Sequence, residues 1–266
     1  MNRAFISLVS SFAFGLLFVP RLASSSDAVS PAPAARVQVP DNLRQAIAQG
    51  PCRLASHRSR DEARKPAETM AFYGVKNGMK VAELIAADGY FSGVLAATVG
   101  NNGRVYAQNN KFIVDYLVKQ NKIDTPLAPM LAQPGCNNIV EITAELDNPG
   151  LPLELDAVFM VMVYHDFKDQ KWDSDAVNTL VFKSLKRGGV YGIIDHRSAP
   201  GTGVSDVGKN HRIEENVVIS EVERAGFRLA EKSDLFANAK DPLNVSVFDK
   251  AVRDHTDRFS LKFVKP

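Results

Sequence analysis

Three short polar stretches carry most of the reactive side chains of this sequence: Tyr164-His165-Asp166, Asp195-His196-Arg197 and His211-Arg212. Imidazole titrates close to neutral pH, so His165, His196 and His211 can each take or give a proton. Asp166 or Asp195 can orient a histidine through its second ring nitrogen, and Tyr164 adjoins the first of them. Arg197 and Arg212 can hold a carboxylate or phosphate by two parallel hydrogen bonds. His165, Asp166, His196 and His211 would also suit a metal ion, but their spacing matches no strong metal motif, and none is expected. His165 is the first choice for a general base.

These residues matter together only if the chain brings them together. Regular patterning starts near Ser59, and segments of strand and helix character alternate from there. Strands are expected at Lys80–Ile85, Arg104–Gln108, Asn138–Thr143, Asp156–Val163, Val190–Ile194, Phe227–Lys232 and Asp257–Val264. The run DAVFMVMV in the fourth is continuously apolar, as in a strand covered on both faces. Helices are expected at Glu62–Tyr73 (capped by Asp61), Gly89–Val99, Lys111–Asn121, Asp173–Lys186 and Ile213–Ala225, besides one within Asp41–Arg58. This alternation predicts an α/β fold, doubly wound, with a mainly parallel sheet and helices on both faces. A ligand then binds outside the carboxyl ends of the strands, at the point where strand order reverses. All three polar stretches fall at that edge.

The order of elements after Ser59 resembles the class I S-adenosylmethionine-dependent methyltransferases, and within them an exported group known as predicted methyltransferases. The likeness rests on Arg64-Lys65-Pro66-Ala67-Glu68-Thr69, Gly74-Val75-Lys76, Val81-Ala82-Glu83, Leu185-Lys186-Arg187-Gly188-Gly189-Val190, Asp195-His196-Arg197, His211-Arg212-Ile213, Ala225-Gly226-Phe227 and Asp257-Arg258-Phe259. The resemblance implies a Rossmann-like sheet of seven strands, the last antiparallel and inserted between the fifth and sixth. It also implies S-adenosylmethionine as cofactor. Glu83 would be the acid ending the first strand, and Ile85-Ala86-Ala87-Asp88-Gly89 the loop against the methionine part of the cofactor. Only Gly89 remains of three alternating glycines; Ile85 and Ala87 stand at the others. Alanine at a position needing φ > 0 costs on the order of 1 kcal/mol. Asn109 stands where an acid would accept hydrogen bonds from both ribose hydroxyls. The charged run Ser59–Lys65 would cover the pocket, and His165 would remove the proton of the acceptor. Trp172 and Phe167 could form an apolar wall for an aromatic substrate.

The net charge of +2 and the lack of a Lys/Arg run argue against a nucleic-acid partner and leave a small molecule. Arg3, the apolar run Ala4–Val19 and the small residues Leu22–Ser26 have the order of a secretory signal. Residues 1–26 are therefore read as a signal peptide, residues 27–58 as a flexible linker with an N-terminal segment, and 59–266 as the α/β domain. The run is too short to span a bilayer, and no later stretch could, so an exported protein is expected, periplasmic or secreted. Cys52 and Cys136 could pair in that compartment or remain two free thiols. Two further functions fit the same residues. One is a cofactor-independent lyase, isomerase or hydrolase using the His/Asp/Arg cluster; the other is a non-catalytic small-ligand binder.

Overall fold

The computed structural model describes residues 37–266; the expected signal peptide lies outside them. Seven strands, β1 (Lys80–Leu84), β2 (Arg104–Asn109), β3 (Ile139–Thr143), β4 (Leu155–Val161), β5 (Leu185–His196), β6 (Arg228–Ser233) and β7 (Arg258–Val264), form one sheet in the order β3-β2-β1-β4-β5-β7-β6. β1 to β5 pair in parallel, and β7 runs antiparallel between β5 and β6. This is the doubly wound seven-stranded sheet expected from the sequence. Strand order reverses between β1 and β4, so the ligand edge lies above those two strands.

Alternation along β4 builds both sides of the core. Ala157, Phe159 and Val161 enter one apolar cluster, and Val158 and Met160 enter the other. The first cluster is covered by α1 (Asp41–Gln49), α4 (Pro66–Tyr73) and α5 (Tyr90–Val99), with the short α2 (Ala55–Arg58) and α3 (Asp61–Arg64) in the chain between α1 and α4. Beside β2 run α6 (Lys111–Asn121) and the short α7 (Ala128–Leu131). The second cluster is covered by α8 (Asp166–Asp169), α9 (Ser174–Ser184), α10 (Val207–Asn210) and α11 (Glu215–Arg224). No helix among the described residues is long and apolar enough to cross a membrane.

Several local expectations change. The helix expected over Glu62–Tyr73 is two helices, because Lys65 takes φ 41° and Pro66 restarts the chain. Proline lacks an N–H and disfavours α conformation in the residue before it. Asp61 caps nothing; its carboxylate accepts from the Arg53 guanidinium and from the Tyr90 hydroxyl (2.7 Å). β5 starts at Leu185, five residues early, with a register irregularity opposite Leu155–Ala157. The segment Asp41–Arg58, set apart from the α/β domain in the sequence reading, packs on it through buried Ile47, Cys52 and His57. Cys52 is joined to Cys136 by a disulfide spanning 84 positions.

Candidate functional site

The chain leaves β1 through Ile85–Gly89 and enters α5. Ile85, Ala87 and Gly89 have φ of 52°, 51° and 81°. The backbone thus follows the alternating left-handed path of a three-glycine loop although two of the positions carry side chains. A left-handed non-glycine residue costs roughly 1–2 kcal/mol, and a β-branched one is rarer still. Hydrogen bonds from the end of β2 hold the loop in place. Gln108 accepts the Ile85 N–H through its side chain (3.2 Å) and the Ala86 N–H through its backbone (2.9 Å). Asn109 grips Ala87 twice: Oδ1 accepts the Ala87 N–H (2.8 Å), and Nδ2 donates to the Ala87 carbonyl (3.1 Å).

That grip corrects the expected ribose contact. Asn109 is fully buried and does not reach the cavity described below. An amide carries both a donor and an acceptor, which is what a backbone peptide needs and a carboxylate lacks. Gly89 also has a role other than lining: a Cβ there would lie 2.7 Å from Met130 Cε, so the residue permits close packing.

Glu83, Ile85, Ala86, Ala87 and Asp88 line a cavity of about 650 Å³ above β1 and β4, within the roughly 300–1,000 Å³ of small-molecule sites. Glu83 is buried and accepts the Ser92 hydroxyl (2.6 Å); burial pushes its carboxyl up to about 8. Across from it stands a basic wall from the segment expected to cover the pocket. Arg60 pairs with Asp88 (2.7 Å). Arg64 lies over the Tyr90 ring at 4.6 Å and makes no ion pair among the described residues. Its guanidinium also lines the cavity.

The histidines close the other end. β4 and β5 finish side by side, which places His165 beside Asp195. Asp195 is fully buried; it accepts the His165 ring at Nδ1 (2.8 Å), the His165 N–H (2.8 Å) and the His196 N–H (2.7 Å). Burial alone would lower the His165 pKa, but the facing Asp195 carboxylate raises it; burial would raise Asp195, and His165 holds it below its ordinary value. With Nδ1 held by Asp195, the other ring nitrogen, Nε2, lies 3.3 Å from Asp166 Oδ1. His196 is anchored at Nδ1 by the Thr256 hydroxyl (2.8 Å), and burial pushes its pKa down. His211 takes φ 53° after α10, which sets its ring edge-on to His165 at 5.4 Å and against Phe248 at 4.9 Å. His165, Asp166, His196 and His211 all line the same cavity as Glu83.

Three expected site residues stand elsewhere. Tyr164 is fully buried beneath the cluster, its hydroxyl joined to Glu221 (3.0 Å) and Asn178 (2.8 Å). Arg197 follows His196 and so points to the opposite face of β5, where it pairs with Glu215 and Asp257. Arg212 is fully buried in a two-bond pair with Asp241 (2.9 and 3.0 Å) and also donates to the carbonyls of Arg197 and Val245. Both guanidinium groups tie loops and offer no clamp for a substrate. Trp172 lines the cavity, whereas Phe167 is buried edge-on beneath it.

The sequence reading did not assign the apolar side wall. Phe112 and Tyr116, on α6, are 57% and 54% exposed and line the cavity, with Ile113 and Leu117 beside them. Their signal was the i, i+4 spacing of two aromatics on a helix that buries none of its residues.

No protein-family model matches the chain, and no curated protein matches it. Solved structures do. A SAM dependent methyltransferase from Aquifex aeolicus matches with a TM-score of 0.55 and 19% identity, over 78% of this chain and 93% of that one. An arsenic(III) S-adenosylmethionine methyltransferase from Chlamydomonas reinhardtii matches with a TM-score of 0.50 and 16% identity, over 85% of this chain and 73% of that one. With the strand order and the antiparallel β7, these matches establish that the chain has the class I methyltransferase fold.

Proposed function

We propose that the protein is an exported enzyme that transfers a methyl group from S-adenosylmethionine to a small-molecule acceptor. One observation carries the reading: the left-handed loop after β1 and the histidines after β4 and β5 line a single cavity. The loop end fits the cofactor. Arg64 is a guanidinium with no carboxylate partner among the described residues, placed to receive the amino-acid carboxylate, and Glu83 across the cavity can face the amino group. The first-turn N–H groups of α5 lack intrahelical acceptors and add to the same end. Phe112 and Tyr116 give an aromatic face for a purine.

When bound, the cofactor supplies an electrophilic methyl group on sulfur. The chain's own residues do the rest. The cavity holds the acceptor between the loop and the histidines, so alignment contributes most. His165 Nε2 accepts the acceptor's proton, and Asp195, 2.8 Å from Nδ1, steadies the resulting imidazolium. Trp172, Phe248 and α6 keep the acceptor away from water. Export is supported by the order of residues in the N-terminal 26 positions and by the Cys52–Cys136 bond, which persists in an oxidising compartment.

Calorimetry with S-adenosylmethionine and S-adenosylhomocysteine tests the proposal. Saturable one-to-one binding of both is expected. No heat up to millimolar ligand, in a protein shown to be folded, would refute it. The Asn109 grip favours a second reading, because the ribose loses its usual acidic partner. In that case the Asp195–His165 pair performs acid–base chemistry without the cofactor, and turnover disappears in His165→Ala with no S-adenosylmethionine present.

A further inference from the structure

We infer that His165, Asp166 and His211 form a binding site for a first-row divalent metal ion of the zinc class. His165 Nε2 lies 3.3 Å from Asp166 Oδ1, and His211 Nδ1 lies 3.7 Å from the same oxygen. The three ligand atoms all lie within 4.8 Å of one another. Bonds of about 2.0–2.1 Å to a tetrahedral ion set ligand atoms roughly 3.3 Å apart. Two of the separations are near that value, and His211, whose side chain is 29% exposed, can turn to close the third.

A second, independent feature points to an ion. The buried Asp195 holds His165 at Nδ1, which fixes the ring and turns Nε2 toward Asp166 Oδ1, 3.3 Å away. Carboxylate–histidine–metal arrangements orient their ligands in this way. Two histidines and one carboxylate on one side of an ion also leave coordination positions open, and here those positions face the cavity. An acceptor oxygen or thiol entering it can bind the ion, which lowers its pKa so that it stays as the anion with its proton given up to bulk solvent on entry. His165 is then a ligand, and the ion takes over the activation assigned above to its Nε2. This part of the inference rests on the methyl-transfer reading; the metal site itself does not.

The test uses the purified chain without a histidine tag, stripped with chelator and titrated with Zn²⁺ by calorimetry, and with Co²⁺ followed in the visible spectrum. One ion per chain is expected, with d–d bands of a low-coordinate nitrogen/oxygen site. His165→Ala, His211→Ala and Asp166→Asn should each weaken binding at least 100-fold. Asp195→Asn should weaken it 10–100-fold as an orienting group. His255→Ala, at an exposed histidine away from the cavity, should leave it unchanged. Circular dichroism confirms that each variant is folded; for one that is not, the remaining variants decide. Absence of one-to-one binding, or equal affinity in the folded His165, His211 and Asp166 variants, overturns the inference. S-adenosylhomocysteine titrated without metal separates this outcome from failure of the proposed activity.

Discussion

Asn109→Asp puts the acid of the family pattern back at the end of β2, and the structure predicts that it damages the protein. In the wild type the side chain makes two bonds to one peptide, 2.8 Å from the Ala87 N–H and 3.1 Å to the Ala87 carbonyl, with no solvent contact. An ionised aspartate keeps the first bond and turns the second into two facing oxygens. Loss of the donor leaves a buried carbonyl unsatisfied, at about 1–3 kcal/mol. The new carboxylate also has one donor where it needs several, so burial raises its pKa. Stability from such a group is present at low pH and lost as pH rises through its folded pKa. Urea unfolding should therefore show Asn109→Asp close to wild type at pH 4, where the protonated acid can donate its O–H to the Ala87 carbonyl, and less stable by at least about 1–3 kcal/mol at pH 8. Cofactor affinity should not improve, because the side chain still points at Ala87. A variant as stable as wild type at both pH values, with tighter S-adenosylmethionine binding, would refute the reasoning.

Two further outcomes follow from the same loop. Ala87→Gly removes a left-handed alanine, and after the entropy cost of glycine it should stabilise the protein by about 0.5–1 kcal/mol. Ile85→Gly relieves a similar strain but deletes a side chain only 5% exposed, so it should destabilise by about 1–3 kcal/mol; equal signs for the two in thermal melts would contradict the assignment of strain. Glu83, pushed up to about 8, stabilises the fold at low pH and loses that contribution as pH rises. Glu83→Gln should match wild type near pH 4 and exceed it by about 5 kcal/mol at pH 9; parallel pH profiles would show that the carboxyl is not buried as described.

The sheet was legible because buried parallel strands read as apolar runs, and residues 156–163 admit little else. The ends of elements were less so. The break at Lys65 needs a left-handed residue before Pro66, and that choice depends on how α3 and α4 pack. At the site, the histidines and the loop could be placed because topology alone brings strand ends to one edge. Arg212 could not, because its partner Asp241 lies 29 positions away with no local pattern to reveal it. Asn109 misled for a related reason: its partners are backbone atoms, which a sequence never displays. Phe112 and Tyr116 were placed on a helix, but only the structure shows that this helix leaves them exposed among the described residues, where they line the cavity. The proposed metal ligands His165, Asp166 and His211 were visible as residue types, but the approach of His211 to the other two was not, because it lies far along the chain from them in a spacing no short motif records.

The central claim is that the loop after β1 and the histidine cluster share one ligand cavity, and Trp172 offers a direct probe of it. It is the only tryptophan in the chain, and it lines that cavity. Titration with S-adenosylhomocysteine should change its fluorescence saturably, with the same midpoint as the calorimetric curve. Heat that saturates while Trp172 stays silent would place the ligand elsewhere and contradict the account.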